Sequence, residues 1–310
     1  THPNFNFSGN INHRQNRWNW FGNVAARKSR QNTTGAINRF VNSNGTDKIF
    51  ENKTVDQDAS GNISFHVAAD FYFNKKNTFG FILKGNEYRS KLYTPGTTLI
   101  KTNSITDSSL NTINDNRQRT HRYNINFNYK YEDTLGIEFN VDADYSVYKN
   151  NSNGLLTTDL LNELDIKYGY LANDQDVHTG IKIYSIKTDL ARQLKKLNAK
   201  VEAGLKWNVI QTTNDLEAMV WSANEFKADT GRTNLFTYTE TNYAAYASFS
   251  QKINKWEYQF GVRAEQSVTK GRSIDLKNSR IDYPDTSYFN LFPTAFVRYT
   301  VNDKNSLGFS

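Results

Sequence analysis

Residue types that commonly hold metals or move protons are sparse in this chain. The five histidines are His2, His13, His66, His121 and His178. No two of them have HExxH or similar spacing, which would present two imidazoles to one metal ion from a helix face. The chain has no cysteine, which excludes a thiol nucleophile, a disulfide scaffold and a cysteine-type zinc site. No serine lies in a recognisable catalytic motif. We therefore predict no catalytic residue, no cofactor and no metal site, and expect a protein that is not an enzyme.

One acidic run has the composition of a cation-binding loop. Residues 56–61 read DQDASG and resemble the first half of a calcium loop, which needs a glutamate at its twelfth position and a flanking helix. That position is Val67, so the run is interpreted as a turn that leads into a strand. Asp174 and Asp176 form a second, similar candidate.

A third set of charged residues alternates with apolar ones. In residues 137–147, apolar side chains at odd positions are separated by polar side chains at even positions, including Asp142 and Asp144. Successive side chains of a strand point to opposite faces, so this segment predicts one apolar face and one charged face. In a barrel such charged side chains face the lumen, where water or pairing stabilises them. The predicted lumen-facing residues are Asp142, Asp144, Glu202, Lys206, Arg263 and Glu265.

The same period of two recurs along the chain. Clear examples are residues 62–74, 122–132, 199–209, 256–265 and 289–301, and weaker ones are 4–12, 17–28, 78–90, 181–194, 235–250 and 305–310. In residues 181–194 the phase is ambiguous. Several of these segments reach the roughly 9–11 residues that a tilted strand needs to cross a bilayer. We count eleven full strands and part of a twelfth.

Short and long connections alternate between these strands. The short ones lie near residues 13–16, 74–77, 132–134, 195–197, 254–255 and 302–305, and the long ones near 30–61, 92–117, 149–180, 214–233 and 271–287. Long loops at one end and short turns at the other are typical of an outer-membrane β-barrel. In one long loop, Leu155–Leu164 has leucines at helical spacing, which predicts a short loop helix. The predicted fold class is all-β, an antiparallel transmembrane β-barrel.

Composition limits the alternatives. The 310 residues include 14% aromatic side chains, too many for a disordered chain. The net charge is +7, but its cations are spread along the chain, so we predict no nucleic-acid partner. No run of 18 apolar residues predicts a transmembrane helix, and the start THPNFNFSGN does not have the pattern of a signal peptide. Aromatic residues crowd near the short turns, as in the interfacial girdles of barrels. The alternative fold is a soluble β-sandwich.

The last third of the chain resembles a known family. The residues that carry the resemblance run from Phe236 to Ser267 and from Tyr288 to Ser310. The matching positions are Tyr238, Glu240, Ala245, Tyr246, Gly261, Arg263, Glu265, Phe292 and Pro293. They resemble the outer-membrane β-barrel family of the TonB-dependent-receptor type found in Bacteroidetes. Residues 1–235 fit this family only in their strand pattern.

The resemblance implies nutrient uptake through the outer membrane by a barrel that a plug domain gates and TonB drives. Its implied partners are outer-membrane lipid, the plug, TonB and an unidentified nutrient. No plug or TonB box is visible, so we expect residues 1–310 to be a single segment, incomplete at both ends, of a barrel of about 22 strands. The alternatives are a non-transporting surface barrel, such as an adhesin or binding platform, and a soluble β-rich binding protein.

Overall fold

The computed structural model describes residues 4–43, 46–275, 280–282 and 285–310, and almost all of them lie in strands. The strands are β1 Phe5–Gln15, β2 Trp18–Ser43, β3 Thr46–Tyr72, β4 Asn77–Thr102, β5 Ile105–Glu132, β6 Ile137–Asn162, β7 Lys167–Leu194, β8 Ala199–Ser222, β9 Glu225–Ala228, β10 Asn234–Ile253, β11 Trp256–Asp275, β12 Arg280–Asp282, β13 Thr286–Asn302 and β14 Asn305–Phe309. A 3₁₀ turn at Lys195–Leu197 joins β7 to β8. In the part of the chain that the structure describes, no helix is long and apolar enough to span a membrane.

All fourteen strands belong to one antiparallel sheet. Twelve of them follow one another in chain order, while β9 pairs only with β8 and β12 only with β11 among the described strands. Within the same residues, β1 pairs with β2 alone and β14 with β13 alone, so the sheet is open at both edges. This arrangement confirms the predicted eleven full strands and a partial twelfth. It follows from the chain order, because most neighbouring strands are joined by a direct hairpin, and β8–β10 and β11–β13 by a connection that contains β9 or β12.

The predicted long loops are wrong for most of their length. Six strands, β2 to β7, have 26 to 28 residues where the alternating pattern alone predicted about half of that. Asn103 and Ser104 alone separate β4 from β5. The pairing continues because each backbone N–H and C=O needs a partner, and the neighbouring strand supplies it whatever the side chains are. Of the loop predicted at residues 214–233, only 229–233 remain as a connection without strand structure before β10. Of the last predicted loop, residues 276–279 and 283–284 lie outside the described residues.

Two features that were assigned to the long loops are strands as well. Leu155–Leu164 is not a helix, because its residues as far as Asn162 belong to β6 and pair with both β5 and β7. The run Asp56–Gly61 is not a turn, since it lies inside β3. At these positions the long-range pairing of the sheet overrides the local preference.

The predicted short turns are confirmed. Asn16, Asn198 and Asn254 lie in three of them and have φ angles of 54°, 45° and 54°, a left-handed conformation that asparagine tolerates better than most residues. In the β5–β6 turn, Asp133 Oδ1 accepts hydrogen bonds from the backbone N–H of Leu135 and Ile137 at 3.0 and 2.9 Å. These local bonds fix the turn geometry and therefore the register of the strands that follow.

One face of the sheet is apolar near the short turns. Aromatic side chains from neighbouring strands lie side by side there, with ring centroids 4.6 Å apart for Trp18 and Phe71 and 4.9 Å apart for Phe79 and Tyr129. Farther from the turns, Phe127 and Leu205 are 58% and 62% exposed. Apolar side chains that are this exposed over many strands are typical of a surface that another apolar phase covers.

Candidate functional site

The polar face of the sheet is the candidate functional surface, and the strand register brings the predicted charged residues onto it. Asp142 on β6 lies opposite Lys187 on β7, and Lys187 lies opposite Lys206 on β8. The same row continues through Ala244 on β10 to Glu265 on β11. Partners that are directly opposite point to one face. The two adjacent rows hold Asp144 and Arg263, and Glu202 lies one row beyond Arg263.

Side-chain contacts stabilise many of these charges. Arg263 forms an ion pair with Glu265, and their side chains are 35% and 25% exposed. Glu202 is 2.5 Å from Lys200 Nζ, and Asp144 accepts a hydrogen bond of 3.0 Å from Asn126. Ion pairs of this exposure contribute little to stability singly, at roughly 0–1 kcal/mol. Their main effect is that the face stays polar and hydrated while its opposite charges balance each other.

A pocket of about 360 Å³ lies beside Arg263 on this face. Tyr246 on β10 and Phe292 on β13 are the direct cross-strand partners of Arg263. Gly261 and Lys187 also line the pocket. Four of the nine positions that carry the family resemblance therefore meet in one place: Tyr246, Gly261, Arg263 and Phe292. A guanidinium on a strand flanked by aromatic residues of both neighbouring strands can bind an anionic or a planar group.

The remaining residues of the resemblance are distributed over both faces. Tyr238 donates a hydrogen bond of 3.3 Å to Glu240 on the polar face, nearer the far end of β10. Ala245 and Pro293 have the opposite parity and lie on the apolar face, where Pro293 is opposite Val262. The family pattern thus combines positions on the polar face with positions on the apolar face.

A second pocket on the polar face was not predicted from the sequence. It has about 310 Å³ and is lined by Arg122, Tyr148, Ile181 and Ile183, among others. The Arg122 guanidinium carbon lies 5.3 Å from the centre of the Tyr148 ring. The two isoleucines belong to the strand segment whose phase was ambiguous. Their place on the polar face explains that ambiguity, since they form an apolar floor among polar neighbours.

The histidines do not cluster. His66 lies on the polar face, and its Nε2 is buried without a hydrogen-bond partner among the described residues. His121 Nδ1 is 2.5 Å from Glu87 Oε1 on the apolar face, and His178 Nδ1 is 3.0 Å from Asn151 Oδ1. His2 lies outside the described residues. Across 4–43, 46–275, 280–282 and 285–310, no group of three potential metal ligands comes together.

Two solved structures are similar to this chain. The unliganded crystal structure of the ferric citrate transporter FecA is similar to this chain, with a TM-score of 0.50 and 11% sequence identity, over 96% of this chain and 42% of FecA. The ferric yersiniabactin uptake receptor FyuA from Yersinia pestis is similar with a TM-score of 0.26 and 9% identity, over 98% of this chain and 65% of FyuA. This chain thus spans less than half the length of FecA, and the identity is low enough that the likeness shows the fold alone.

Sequence comparison gives the family. No curated protein sequence matches the chain. The model of the outer membrane protein beta-barrel family matches residues 130–310, which is more than half of the chain and includes every residue that lines the pocket beside Arg263. The chain therefore belongs to the outer membrane protein β-barrel family, and it is a wall of an antiparallel barrel in the bacterial outer membrane.

Proposed function

We propose that this chain is part of the barrel wall of a TonB-dependent receptor that takes up a nutrient. The observation that carries the proposal is the two-faced wall, in which exposed apolar side chains cover one face and paired charges cover the other. We assign the apolar face to contact with lipid and the polar face to the lumen. A Bacteroidetes origin, which the sequence resemblance implies, remains a prediction.

The height of the apolar face supports this orientation. On β6 the apolar side chains run from Ile137 to Val147. Ten steps of about 3.4 Å along a strand tilted by about 45° rise roughly 24 Å, close to the apolar band of about 25 Å in outer-membrane barrels. The strand begins at a short turn and continues as far as Asn162 on the other side of this band. We therefore assign the short turns to the periplasm and the strand extensions to the outside of the cell.

The pockets beside Arg263 and Arg122 are the candidate contacts for a plug domain or a passing nutrient. Both combine a guanidinium with aromatic or apolar side chains on the polar face. A plug that fills the lumen must pair with wall charges, because an unpaired buried charge is costly. The family resemblance implies that a plug domain, TonB and a nutrient act on this wall. The wall itself is proposed to be non-enzymatic.

A second candidate function is a surface barrel that binds a partner without transport. The strand extensions favour it, since β6 rises a further fifteen residues beyond Val147. At about 3.3 Å per residue and a tilt near 45°, the wall would stand roughly 35 Å above the apolar band. Such a height offers a large outer surface to adhesion partners.

The test uses the full-length protein in its native host. Cells are exposed to a panel of labelled ferric chelates and oligosaccharides, and accumulation is measured with and without TonB. We expect at least one compound to accumulate only when both the receptor and TonB are present. Arg263→Gln should reduce that accumulation, whereas surface exposure of the receptor should stay unchanged. If a compound binds at the cell surface without TonB and accumulates in no strain, the result would favour the surface barrel.

A further inference from the structure

Three short cationic motifs lie on three strands where the apolar face ends. They are Lys28-Ser-Arg30 on β2, Arg89-Ser-Lys91 on β4 and Arg117-Gln-Arg119 on β5. In each motif the two cations are two residues apart, so both point to one face. That face is the apolar one, because Lys28 and Arg30 continue the even positions of Val24 and Ala26.

The strand register aligns the motifs in two rows. The first row runs from Lys28 through Gly61 to Arg89 and Arg119. The second row runs from Arg30 through Ala59 to Lys91 and Arg117. Strand β3, which lies between the cationic strands, thus contributes only small residues to both rows. The six cations of β2, β4 and β5 therefore flank a strip of β3 whose side chains are small.

This strip is the floor of a groove of about 1070 Å³ that is open to solvent. Since neighbouring strands lie about 4.8 Å apart, the cations of β2 and β4 stand roughly 10 Å from each other across β3. One row closer to the short turns, Ala26 and Ile63 line the groove beside Glu87, and Phe5 lies opposite Lys28. The groove therefore joins a cationic upper part to the apolar face below it. We name it the cationic groove.

The cations of the groove exceed its local carboxylates. Asp115 forms ion pairs with Lys91 at 3.3 Å and Arg117 at 3.4 Å. Partial burial raises the pKa of Asp115, but these two partners outweigh burial and hold the pKa below its ordinary value. Glu87 is already bonded to His121, and Asp176, which also lines the groove, lies 3.6 Å from His178. No described carboxylate forms an ion pair with the other four cations, which are Lys28, Arg30, Arg89 and Arg119.

We propose that the cationic groove binds the phosphorylated headgroup of an anionic lipid of the outer leaflet, with its acyl chains lying along the apolar face. The proposal rests on the orientation given under the proposed function. Two features favour a lipid over a soluble anion. The groove lies on the lipid-facing side rather than in the lumen, and its floor continues without a step into the apolar residues Ala26 and Ile63. Arginine and lysine side chains are the usual partners of phosphate oxygens.

The binding test uses the full-length protein in a neutral detergent with diphosphoryl lipid A as the probe. Native mass spectrometry counts the lipid that each variant retains. In Lys28→Gln/Arg89→Gln we expect affinity to fall about 30-fold, from about fivefold for each charge removed near a membrane surface. The control Arg39→Gln/Lys84→Gln removes two exposed cations of the same strands from the polar face, neither of which lines the groove, and should bind as the wild type does. Equal binding by both double variants would overturn the proposal.

A groove-filling variant separates charge from shape. A Cβ atom at Gly61 would meet only the Arg27 backbone oxygen, 3.9 Å away, so the position has room for a side chain. Gly61→Leu keeps every charge but fills the floor, and we expect it to lower lipid A retention at least tenfold. Unchanged retention by this variant would place the lipid elsewhere. Binding of phosphatidylcholine equal to that of lipid A would likewise overturn the proposal, as would full competition by inorganic phosphate or a soluble phosphopeptide.

Uptake measurements keep this proposal distinct from the proposed function. The groove variants should lose lipid and still accumulate nutrient, because the lumen side is unchanged. If no TonB-dependent uptake exists but lipid A binds as expected, the transporter proposal fails and the groove stands. If uptake is normal and lipid A does not bind selectively, the groove proposal fails alone.

Discussion

The ring of Tyr246 on β10 lies directly over Gly204 on β8, so closely that a Cβ atom at position 204 would be 2.4 Å from the ring Cζ. The two residues are cross-strand partners on the polar face. The glycine leaves the space that the tyrosine ring fills, and the ring covers backbone that glycine would expose. This contact fixes one side of the pocket beside Arg263, for which Tyr246 is a wall.

A methyl group at position 204 should therefore displace Tyr246. We expect Gly204→Ala to lower the free energy of unfolding of the full-length protein by about 1–3 kcal/mol, the usual cost of forcing extra volume into a packed contact. Urea unfolding in lipid vesicles, followed by tryptophan fluorescence, measures this change. Gly180→Ala is the matched control, since a Cβ atom there meets nothing within 4 Å. Equal stability of both variants would show that the packing of the Tyr246 ring does not require glycine at position 204.

The orientation of the wall predicts opposite results for two neighbouring positions. Ala143 lies on the apolar face between Phe127 and Ile186, and Asp144 lies on the polar face between Asn126 and Ser185. Arginine near the bilayer midplane on the lipid face costs about 2–4 kcal/mol. We expect Ala143→Arg to impair assembly and Asp144→Arg to assemble, measured as heat-resistant migration of the full-length protein from outer-membrane fractions. Equal tolerance of both would reject the assignment of the faces.

The two ends of the wall should differ in access from outside. A protease site inserted between Asn103 and Ser104, in the tight β4–β5 turn, should be cut on intact cells. The same site inserted after Lys76, in the β3–β4 turn, should be cut only after the outer membrane is permeabilised. Immunoblots of the fragments distinguish the two cases. The reverse pattern would invert the barrel in the membrane.

The connection between β9 and β10 should loosen in acid. A hydrogen bond from Arg232 to Asp229 holds the pKa of that carboxyl below its ordinary value, and Arg232 also donates a 2.7 Å bond to Asn173 on β7. A folded-state pKa below the unfolded value means that folding favours the ionised carboxylate. This contribution is complete above the unfolded pKa and is lost as the pH falls through the folded pKa.

The chain has no cysteine, so Thr230→Cys carries a single spin label at this connection. We expect the label's mobility to rise as the pH falls below the ordinary range of an aspartate. In the Asp229→Asn background the label should be mobile at every pH. A label whose mobility does not change between neutral and acidic pH in the parent background would show that the ion pair does not hold this turn.

The fold was predictable where the membrane imposes a pattern on the sequence. In β6 the alternation up to Val147 gave the correct strand and the correct phase, because lipid requires apolar side chains on one face. Beyond Lys149 both faces are proposed to contact water, so the alternation stops while the backbone pairing continues to Asn162. The sequence therefore suggested a loop, and the leucines of residues 155–164 suggested a helix.

The candidate sites were predictable only as residues on a face. Alternation placed Arg263 and Glu265 with Asp142, and the register confirms that they share one face. It could not show that Tyr246 and Phe292 flank Arg263, since that depends on pairing across three strands. The cationic motifs carried a usable signal, because each places two cations two residues apart at the end of an apolar run. Their assembly into one groove needed the register of β3.

The strand extensions imply a gradient of local stability along the wall. From Lys149 to Asn162, the residues of β6 form backbone hydrogen bonds with the neighbouring strands but bury little apolar surface. Such segments open locally at much lower free energy than embedded ones. Amide hydrogen exchange should therefore be fastest at the outer tips and slow progressively toward Val147. The strands would open from the outer rim toward the membrane. The rim could therefore adapt its shape while the embedded part remains fixed.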